Sequence, residues 1–425
     1  MRPPGVVIDI ARTLQNAGYE AWCVGGAVRD ALLGEAHLDW DLATSAVPTE
    51  VRRLFKRTIP VGIEFGTVGV LDKHGQMHEV TTFRRDVKTD GRHAVVEFGA
   101  SLDEDLARRD FTINAIAYDP IAHRLHDPFN GQGDLANRLV RAVGDPDARL
   151  REDRLRALRG IRFAARFDFA LDPATWTAIM ASAPFLTRLS PERVKQELDK
   201  TVEQVVAPSR ALRRWRDSGA FAALVPELAS VRDETLRAVD ALARPRAGAR
   251  PLRKSLRFAA LLSELNGRTA ERVLKALRFS NQDVATIGAL VDRWHRLGPA
   301  LTAQMGTVEG PSATHLRRLA ADVGRLRVAG FVRLAAACWS VSNGPAGAPV
   351  RRLFQRLQHV AFCEPIEMAD LAIDGDDLRS AAIASGPALG RMLKALLEVV
   401  LEDPERNQRA LLLEHARVLA TVSER

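Results

Sequence analysis

Cysteine is scarce: Cys23, Cys338 and Cys363 are the only three in 425 residues, they lie far apart, and they form no CxxC pair. That excludes a disulfide framework and a cysteine zinc site and fits a reducing, cytoplasmic compartment. No apolar run is long enough to span a bilayer. The opening Met1-Arg-Pro-Pro-Gly leads into a short amphipathic segment with Asp9 and Arg12 rather than a signal core, so secretion and membrane insertion are not expected. No fixed-period repeat or low-complexity tract is present, and none of the histidines repeats at metal-ligand spacing; His37, His74 and His93 sit in turn-like contexts. What the chain does have is an ordinary globular composition, 46% hydrophobic and 27% charged. Its 61 Lys+Arg against 53 Asp+Glu give a net charge of +8, which favours a polyanionic partner. The length suggests about three domains.

Strand and helix signals mix in the first third, whereas everything after about Arg138 reads as helix. Val7, Ile10, Leu14 and Ala17 share one helical face, and Gly18 supplies a stop. A strand is expected from Tyr19 to Val24, a tight turn at Gly25-Gly26, a short helix from Ala27 to Leu33, a strand from Leu38 to Ala43, and a helix from Pro48 to Phe55. Strands from Gly66 to Leu71 and from Met77 to Phe83 form a hairpin around Lys73-His74-Gly75. Arg84 to Ser101 is polar, with Asp90-Gly91 as a turn signal, and reads as a mobile loop. Ser101 and Glu104 make a capping box, and Phe111 to Tyr118 reads as a returning strand. Pro and Gly clusters at Pro245 to Pro251, Gly306 to Pro311 and Gly344 to Pro349 mark seams in the helical part.

Asp39-Trp40-Asp41 lies in a strand pattern, so alternation puts both carboxylates on one side and Trp40 on the other. Two hard oxygen donors on one face suit Mg²⁺, which supports in-line phosphoryl transfer. A lone DxD is also common on surface strands. Upstream, Gly25-Gly26 close a strand and open a helix beginning Ala27-Val28-Arg29-Asp30, where backbone N–H groups and the Arg29 guanidinium can hold a triphosphate. The segment VGGAVRDALLGEAHLDWDLAT resembles the first motif of class II tRNA nucleotidyltransferases and bacterial poly(A) polymerases, whose heads are of the polymerase β type.

The resemblance continues in order along the chain. Arg108-Arg109-Asp110-Phe111-Thr112-Ile113-Asn114-Ala115 resembles the family's ribose-binding motif. A carboxylate and an amide can bond sugar hydroxyls while arginine reaches phosphate, and the resemblance makes Asp110 the selector of ribose. Asp127-Pro-Phe-Asn-Gly131-Gln-Gly-Asp134-Leu resembles the hinge between head and neck. Glu152-Asp153-Arg154-Leu155-Arg156 resembles the base-recognition motif. Asp153 and Arg156, three apart on a helix, would be neighbours on one face; a surface ion pair is the plain alternative. Cytosine and adenine share an amino donor beside a ring-nitrogen acceptor, so one carboxylate and one guanidinium satisfy both while guanine and uracil present the opposite polarity. Arg159 and Arg162 continue the same side by helical spacing, and the resemblance assigns both to nucleotide binding; Arg166 reads as solvated surface. Ser190-Pro191-Glu192-Arg193 is a clean helix start, taken as structural. Glu79 is a candidate third carboxylate, because many nucleotidyltransferase heads carry one on a neighbouring strand; a solvent-facing strand glutamate is the alternative. Where some members carry an HD doublet, around Arg257 to Leu265, this chain has none, so no second hydrolase site is expected.

The expected fold is α+β: a small mixed-sheet nucleotidyltransferase head over residues 1–137, then an all-α neck (138–206), body (207–299) and tail (300–425). LAIDGDDL, from Leu371 to Leu378, reads as a capped turn before a helix. Basic helices from Arg317 to Arg333 and from Arg351 to Arg356 are candidate RNA contacts. The resemblance implies template-independent addition of CCA to the 3′ end and acceptor arm of tRNA, with CTP and ATP as substrates and Mg²⁺ as cofactor. A CC-adding, A-adding or poly(A)-adding enzyme is the nearest alternative, and a silent RNA-binding module the non-enzymatic one. No protein partner can be inferred.

Overall fold

Val7, Ile10, Ala11 and Leu14 are buried along one face of the first helix, α1 (Gly5–Asn16), which ends before Gly18 at φ +87°. The computed structural model describes residues 1–35, 39–89, 94–242 and 252–423, which fall into two compact units, 1–230 and 231–425. In the first unit, β1 (Ala21–Val24), α2 (Gly26–Leu32), β2 (Asp41–Thr44), α3 (Pro48–Leu54), β3 (Thr58–Gly62), β4 (Thr67–Leu71) and β5 (Met77–Thr82) follow α1. The hairpin β6 (Arg84–Thr89) and β7 (Ala94–Phe98), α4 (Leu102–Ala107), β8 (Ala117–Asp119) and β9 (Arg124–His126) complete the head.

Seven strands pair in the order β3-β4-β5-β2-β1-β8-β9; β2 and β5 run parallel and the other pairs antiparallel. All four residues of β1 are buried because both faces of this central strand are covered. Cys23 packs with Val7, Leu14, Leu42 and Val80 on one side. Trp22 and Val24 pack with Phe83, Leu102 and Leu106 on the other. The edge strand β3, with Pro60 in its middle and three consecutive exposed residues, carries no alternation that could have announced it. Asp72 Oδ1 accepts the His74 and Gln76 N–H groups, each at 2.8 Å, which fixes the β4–β5 turn around Gly75 at φ +83°.

The expected loop from Arg84 to Ser101 is largely a β-hairpin, β6 paired antiparallel with β7 and tied by an Arg85–Glu97 ion pair at 2.8 Å. Its charge density concealed the strands, since a ribbon that pairs with itself needs no apolar face. The expected strand from Phe111 is shorter: Phe111 makes an isolated bridge to Ala142, Thr112–Asn114 form a 3₁₀ turn, and the strand begins at Ala117. The Ser101–Glu104 capping box is present at the start of α4.

After β9 come α5 (Gly131–Ala136), α6 (Pro146–Glu152), α7 (Leu155–Phe167), α8 (Pro173–Ser182) and α9 (Pro191–Gln204). α7 buries Phe163 and Phe167 in the core cluster that also holds Val7, Ile10 and Leu14 of α1, while Gly160 lets it close on Phe111, whose ring lies 2.9 Å from where a Cβ would be. Ser190 occupies the N-cap position of α9 without a side-chain cap bond, and Pro191 opens the first turn.

The second unit is helical over its described residues. Its longest helix, Asn281–Met305, contains Pro299, so the boundary expected after residue 299 falls inside a continuous helix. Asp374 caps the helix Gly375–Ser380 in a capping box with Asp377, as the capped-turn reading of LAIDGDDL required. Arg317 is buried, donating to the Leu401 and Glu402 carbonyls at 2.6 and 2.8 Å; it holds a helix end and is not available to RNA. Among the described residues no helix is long and apolar enough to cross a membrane. Leu38, His37, His93, the Asp90-Gly91 turn and the seam at 245–251 lie outside the described residues.

Candidate nucleotide-binding site

A cavity of about 480 Å³ opens in the first unit, lined by Gly25, Gly26, Arg29, Asp41, Arg108, Arg109, Asp110, Asn114, Asp153, Leu155, Arg156, Arg159, Phe163 and Arg193. Six arginines face three aspartates in this lining, so the cavity is electropositive and suited to a polyphosphate. Gly25 sits at φ +77°, and a Cβ there would lie 3.0 Å from Arg109 Nη1. Both facts call for glycine where the β1–α2 turn meets the cavity.

Arg29 is buried, and its guanidinium pairs with the buried Asp30 at 2.6 Å, donates to Asn114 Oδ1 and lies over the Phe163 and Phe167 rings. Burial lowers its pKa, with Asp30 acting against that. Asp30 also pairs with Arg166 at 3.5 Å, so Arg166 is more than solvated surface. Arg108 and Arg109 share Asp105, a buried carboxylate 2.8 and 3.3 Å away. Burial raises the Asp105 pKa but the two guanidiniums outweigh it and hold it below the usual carboxylate range. Arg109 Nε is buried with no hydrogen-bond partner among the described residues, a donor left over next to the cavity.

Asp110 organises the 3₁₀ turn. Its Oδ1 accepts from Phe111 N and Asn114 Nδ2, each at 2.9 Å, and its Oδ2 accepts from Arg159 Nε and Nη2 at 2.8 and 2.7 Å. Burial alone would raise its pKa; Arg159 and Asn114 win, and the carboxyl titrates at about 2. These local bonds favour a turn over the expected strand. They leave Asp110 and Asn114 side by side on the cavity wall.

The expected helical pair Asp153 and Arg156 is arranged differently. Asp153 lies in the break between α6 and α7 with extended dihedrals, φ −148° and ψ 106°, because its Oδ1 accepts Leu155 N at 3.0 Å and starts α7. Its Oδ2 pairs with Arg193 Nη2 at 2.6 Å. Arg156 pairs instead with Glu152 at 2.6 Å and donates to the Arg108 carbonyl at 2.9 Å. Both residues line the cavity, each held by a partner that the sequence did not name. Arg193, taken as part of a structural helix start, is itself in the lining.

Arg159 reaches the cavity through Asp110. Arg162 does not line it. Three residues further along α7 it turns inward, is buried, and closes on the buried Glu197 of α9 at 2.6 Å. Helical spacing put it on the Arg159 side, but an i+3 step also turns it toward α9, and an unpaired Glu197 there would be costly.

Of the two motif carboxylates, Asp41 opens β2 and lines the cavity; Asp39 is exposed and precedes the strand, with the buried Trp40 between them. The strand starts at Asp41, three residues after the expected Leu38, so Asp39 lies outside the strand and only Asp41 of the pair lines the cavity. Glu79 does not line the cavity, but the parallel register Leu42↔Val80 puts Glu79 one step before Val80, level with Asp41. Among the described residues no group of three or more His, Cys, Asp and Glu side chains converges. Two carboxylates remain a fitting donor set, because Mg²⁺ is commonly held by one or two carboxylates with substrate phosphates and water completing its shell.

Residues 21–141 match the family described as the poly A polymerase head domain, and residues 168–232 the family described as the probable RNA and SrmB-binding site of polymerase A. With the mixed sheet and this cavity, they define a nucleotidyltransferase head followed by helices. The chain is 36% identical over 415 residues to the CCA-adding enzyme of Geobacillus kaustophilus, covering 96% of each chain. It is 35% identical over 422 residues to that of Lactiplantibacillus plantarum, covering 97% of this chain and 95% of the relative. The crystal structure of the Bacillus stearothermophilus CCA-adding enzyme in complex with CTP superposes with a TM-score of 0.76 at 33% identity, over 99% of this chain and 100% of that one. The Thermotoga maritima CCA-adding enzyme complexed with tRNA shares the fold, with a TM-score of 0.68 at 22% identity over 98% and 95% of the two chains. The chain belongs to the family of the CCA-adding enzymes. Enzymes of this family typically use a divalent metal.

Proposed function

We propose that this protein adds CCA to tRNA 3′ ends from CTP and ATP without a nucleic-acid template. The observation that carries the reading is one cavity that gathers the Gly25-Gly26 turn, Asp41, the Asp110–Asn114 turn and the Asp153 and Arg156 side chains. In this reading the glycine turn and Arg109 take the triphosphate, while Arg29 holds Asn114 in place and adds positive charge. Asp110 and Asn114 meet the ribose hydroxyls, with Arg159 fixing Asp110 in its ionised, accepting form. Asp153 accepts from the amino group of cytosine or adenine and Arg156 donates to the neighbouring ring nitrogen. Asp39 and Asp41, with Glu79 as a third candidate, would hold Mg²⁺, which supplies Lewis acidity at the α-phosphate when bound. The helical part that follows the head would carry the tRNA. The three free cysteines suit a cytoplasmic setting.

The test is incorporation of labelled CMP and AMP into tRNA lacking its 3′ end. Wild type should incorporate both, dependent on Mg²⁺. Asp39→Ala and Asp41→Ala should each lose activity while keeping the fold and most tRNA affinity, because a lost ligand removes Lewis acidity rather than RNA contacts. Substantial turnover by either variant would overturn the metal assignment.

A further inference from the structure

Outside the cavity, two arginines are set against one exposed aromatic ring, and a third lies near them. Phe185, 39% exposed, lies in the 3₁₀ turn Ala183–Arg188. The Arg154 Cζ stands 4.7 Å and the Arg188 Cζ 5.3 Å from its centroid. Arg154 is steadied further by donating from Nη1 to Oγ of the buried Ser182 at 2.8 Å, and the exposed Arg151 donates to the Asp147 carbonyl at 3.3 Å. Among the described residues no carboxylate is in ion-pair contact with Arg151, Arg154 or Arg188, although Asp147 acts on Arg154 at longer range. Arg151 and Arg188 act on it as like charges, and with burial they lower its pKa. By contrast, the arginines that line the cavity are closed on carboxylates, for example Arg29 on Asp30, Arg159 on Asp110 and Arg193 on Asp153. Three neighbouring guanidiniums without such partners, two of them set against a ring, constitute a preformed polyanion site.

The position of the patch suggests its occupant. Both chain segments that build it run directly into the cavity wall: Arg154 lies between Asp153 and Leu155, and the turn carrying Phe185 and Arg188 leads to Arg193 five residues on. A phosphate backbone leading into the cavity can therefore cross this patch, whose charge complements it. We infer that Arg154 and Arg188, set against Phe185, together with the exposed Arg151 three residues before Arg154, form a phosphate clamp for the RNA strand whose 3′ end enters the neighbouring cavity. The inference rests on the reading of tRNA as the substrate. Phe185 is a positioning residue in it: the ring fixes the direction of two guanidiniums and contacts no phosphate itself.

The test measures direct binding of fluorescein-labelled tRNA lacking CCA to the full chain across 50 to 200 mM salt, alongside incorporation kinetics. Arg151→Ala/Arg188→Ala should raise the Kd roughly tenfold at 150 mM salt and flatten the slope of log K against log salt by roughly 1.5, the signature of two lost phosphate contacts. KM for CTP and kcat at saturating tRNA should not change. Arg151→Lys/Arg188→Lys should restore the slope, since the charges return. Phe185→Leu should weaken binding several-fold with the slope unchanged, which a merely destabilised helix turn would not do. A wild-type salt slope in the double alanine variant, or a rise in KM for CTP with tRNA affinity intact, would overturn the clamp. Absence of incorporation by wild type that still binds tRNA through these arginines would overturn the proposed reaction and leave the clamp standing.

Discussion

Replacing Arg159 by leucine strips Asp110 of its charged partner and leaves a buried carboxylate with two neutral donors, Phe111 N–H and the Asn114 amide. In the folded protein Asp110 titrates at about 2, against an ordinary aspartate near 3.9. A depression of that size contributes on the order of 2 to 3 kcal/mol at pH 7, and Arg159 is its largest favourable source. The sign follows from proton uptake. Below the unfolded pKa the unfolded chain binds a proton that the folded one does not, so the contribution is complete above about pH 5 and is lost as pH falls through about 2. Arg159→Leu should therefore be less stable than wild type by about 2 kcal/mol at pH 7, and the gap should shrink to about half at pH 3. Urea unfolding of wild type, Arg159→Leu, Asp110→Asn and the double variant at pH 3, 5 and 7 measures both the gap and the coupling. A coupling energy at pH 7 below about 0.5 kcal/mol, or a gap that is the same at pH 3 and pH 7, would refute the reasoning.

Asp153→Ala should lower CTP and ATP use far more than UTP and GTP use. Wrong polarity costs about 1 to 3 kcal/mol per unmatched group, one to two decades in rate; single-nucleotide incorporation with all four triphosphates measures it, and unchanged selectivity contradicts base reading by this residue. Arg162→Leu should destabilise the fold by about 3 kcal/mol by leaving the buried Glu197 with only the more distant Lys200, 3.7 Å away, while leaving the KM for nucleotide within about twofold in the surviving folded fraction at low temperature. A raised KM with unchanged melting would return Arg162 to the binding site. Gly131→Ala should also destabilise, because a Cβ there would collide with the Thr112 carbonyl that closes the site turn; melting within a degree of wild type would show that the turn shifts freely.

The parts of the cavity lining that were legible are those carried by short contiguous motifs: the Gly25-Gly26 turn, Asp41 of the aspartate doublet, Asp110 with Asn114, and Asp153 with Arg156. Each couples a local backbone feature to a side chain of defined chemistry, and both signals lie within a few residues. The pairings were not legible. Arg193 meets Asp153 across 40 residues and Glu197 meets Arg162 across 35, and nothing in the spacing of arginines along α7 distinguishes one that faces the cavity from one that faces α9. Asp105, holding Arg108 and Arg109, was hidden inside a capping-box helix whose first turn is acidic in any case. In the head, apolar alternation announced β4 and β5 but not β3, an exposed edge, nor β6 and β7, which pair with each other. Helix-forming spacing carried Asp153 into α7, whereas its own bond to Leu155 N puts it outside the helix as the residue that starts it.

The central claim is that one cavity, reading bases with protein groups, completes the CCA end and stops. The most direct measurement offers the wild-type protein three transcripts of one tRNA, ending at the discriminator base, after one C and after CC, with CTP, ATP or both, and reads product lengths at single-nucleotide resolution. The account predicts two C residues from CTP alone on the first transcript, one on the second, a single A from ATP on the third, and a product of fixed length with both. Unlimited A tails on every transcript, C addition without A when both triphosphates are present, or A addition to the CC-ended transcript with no C addition to the other two would contradict it.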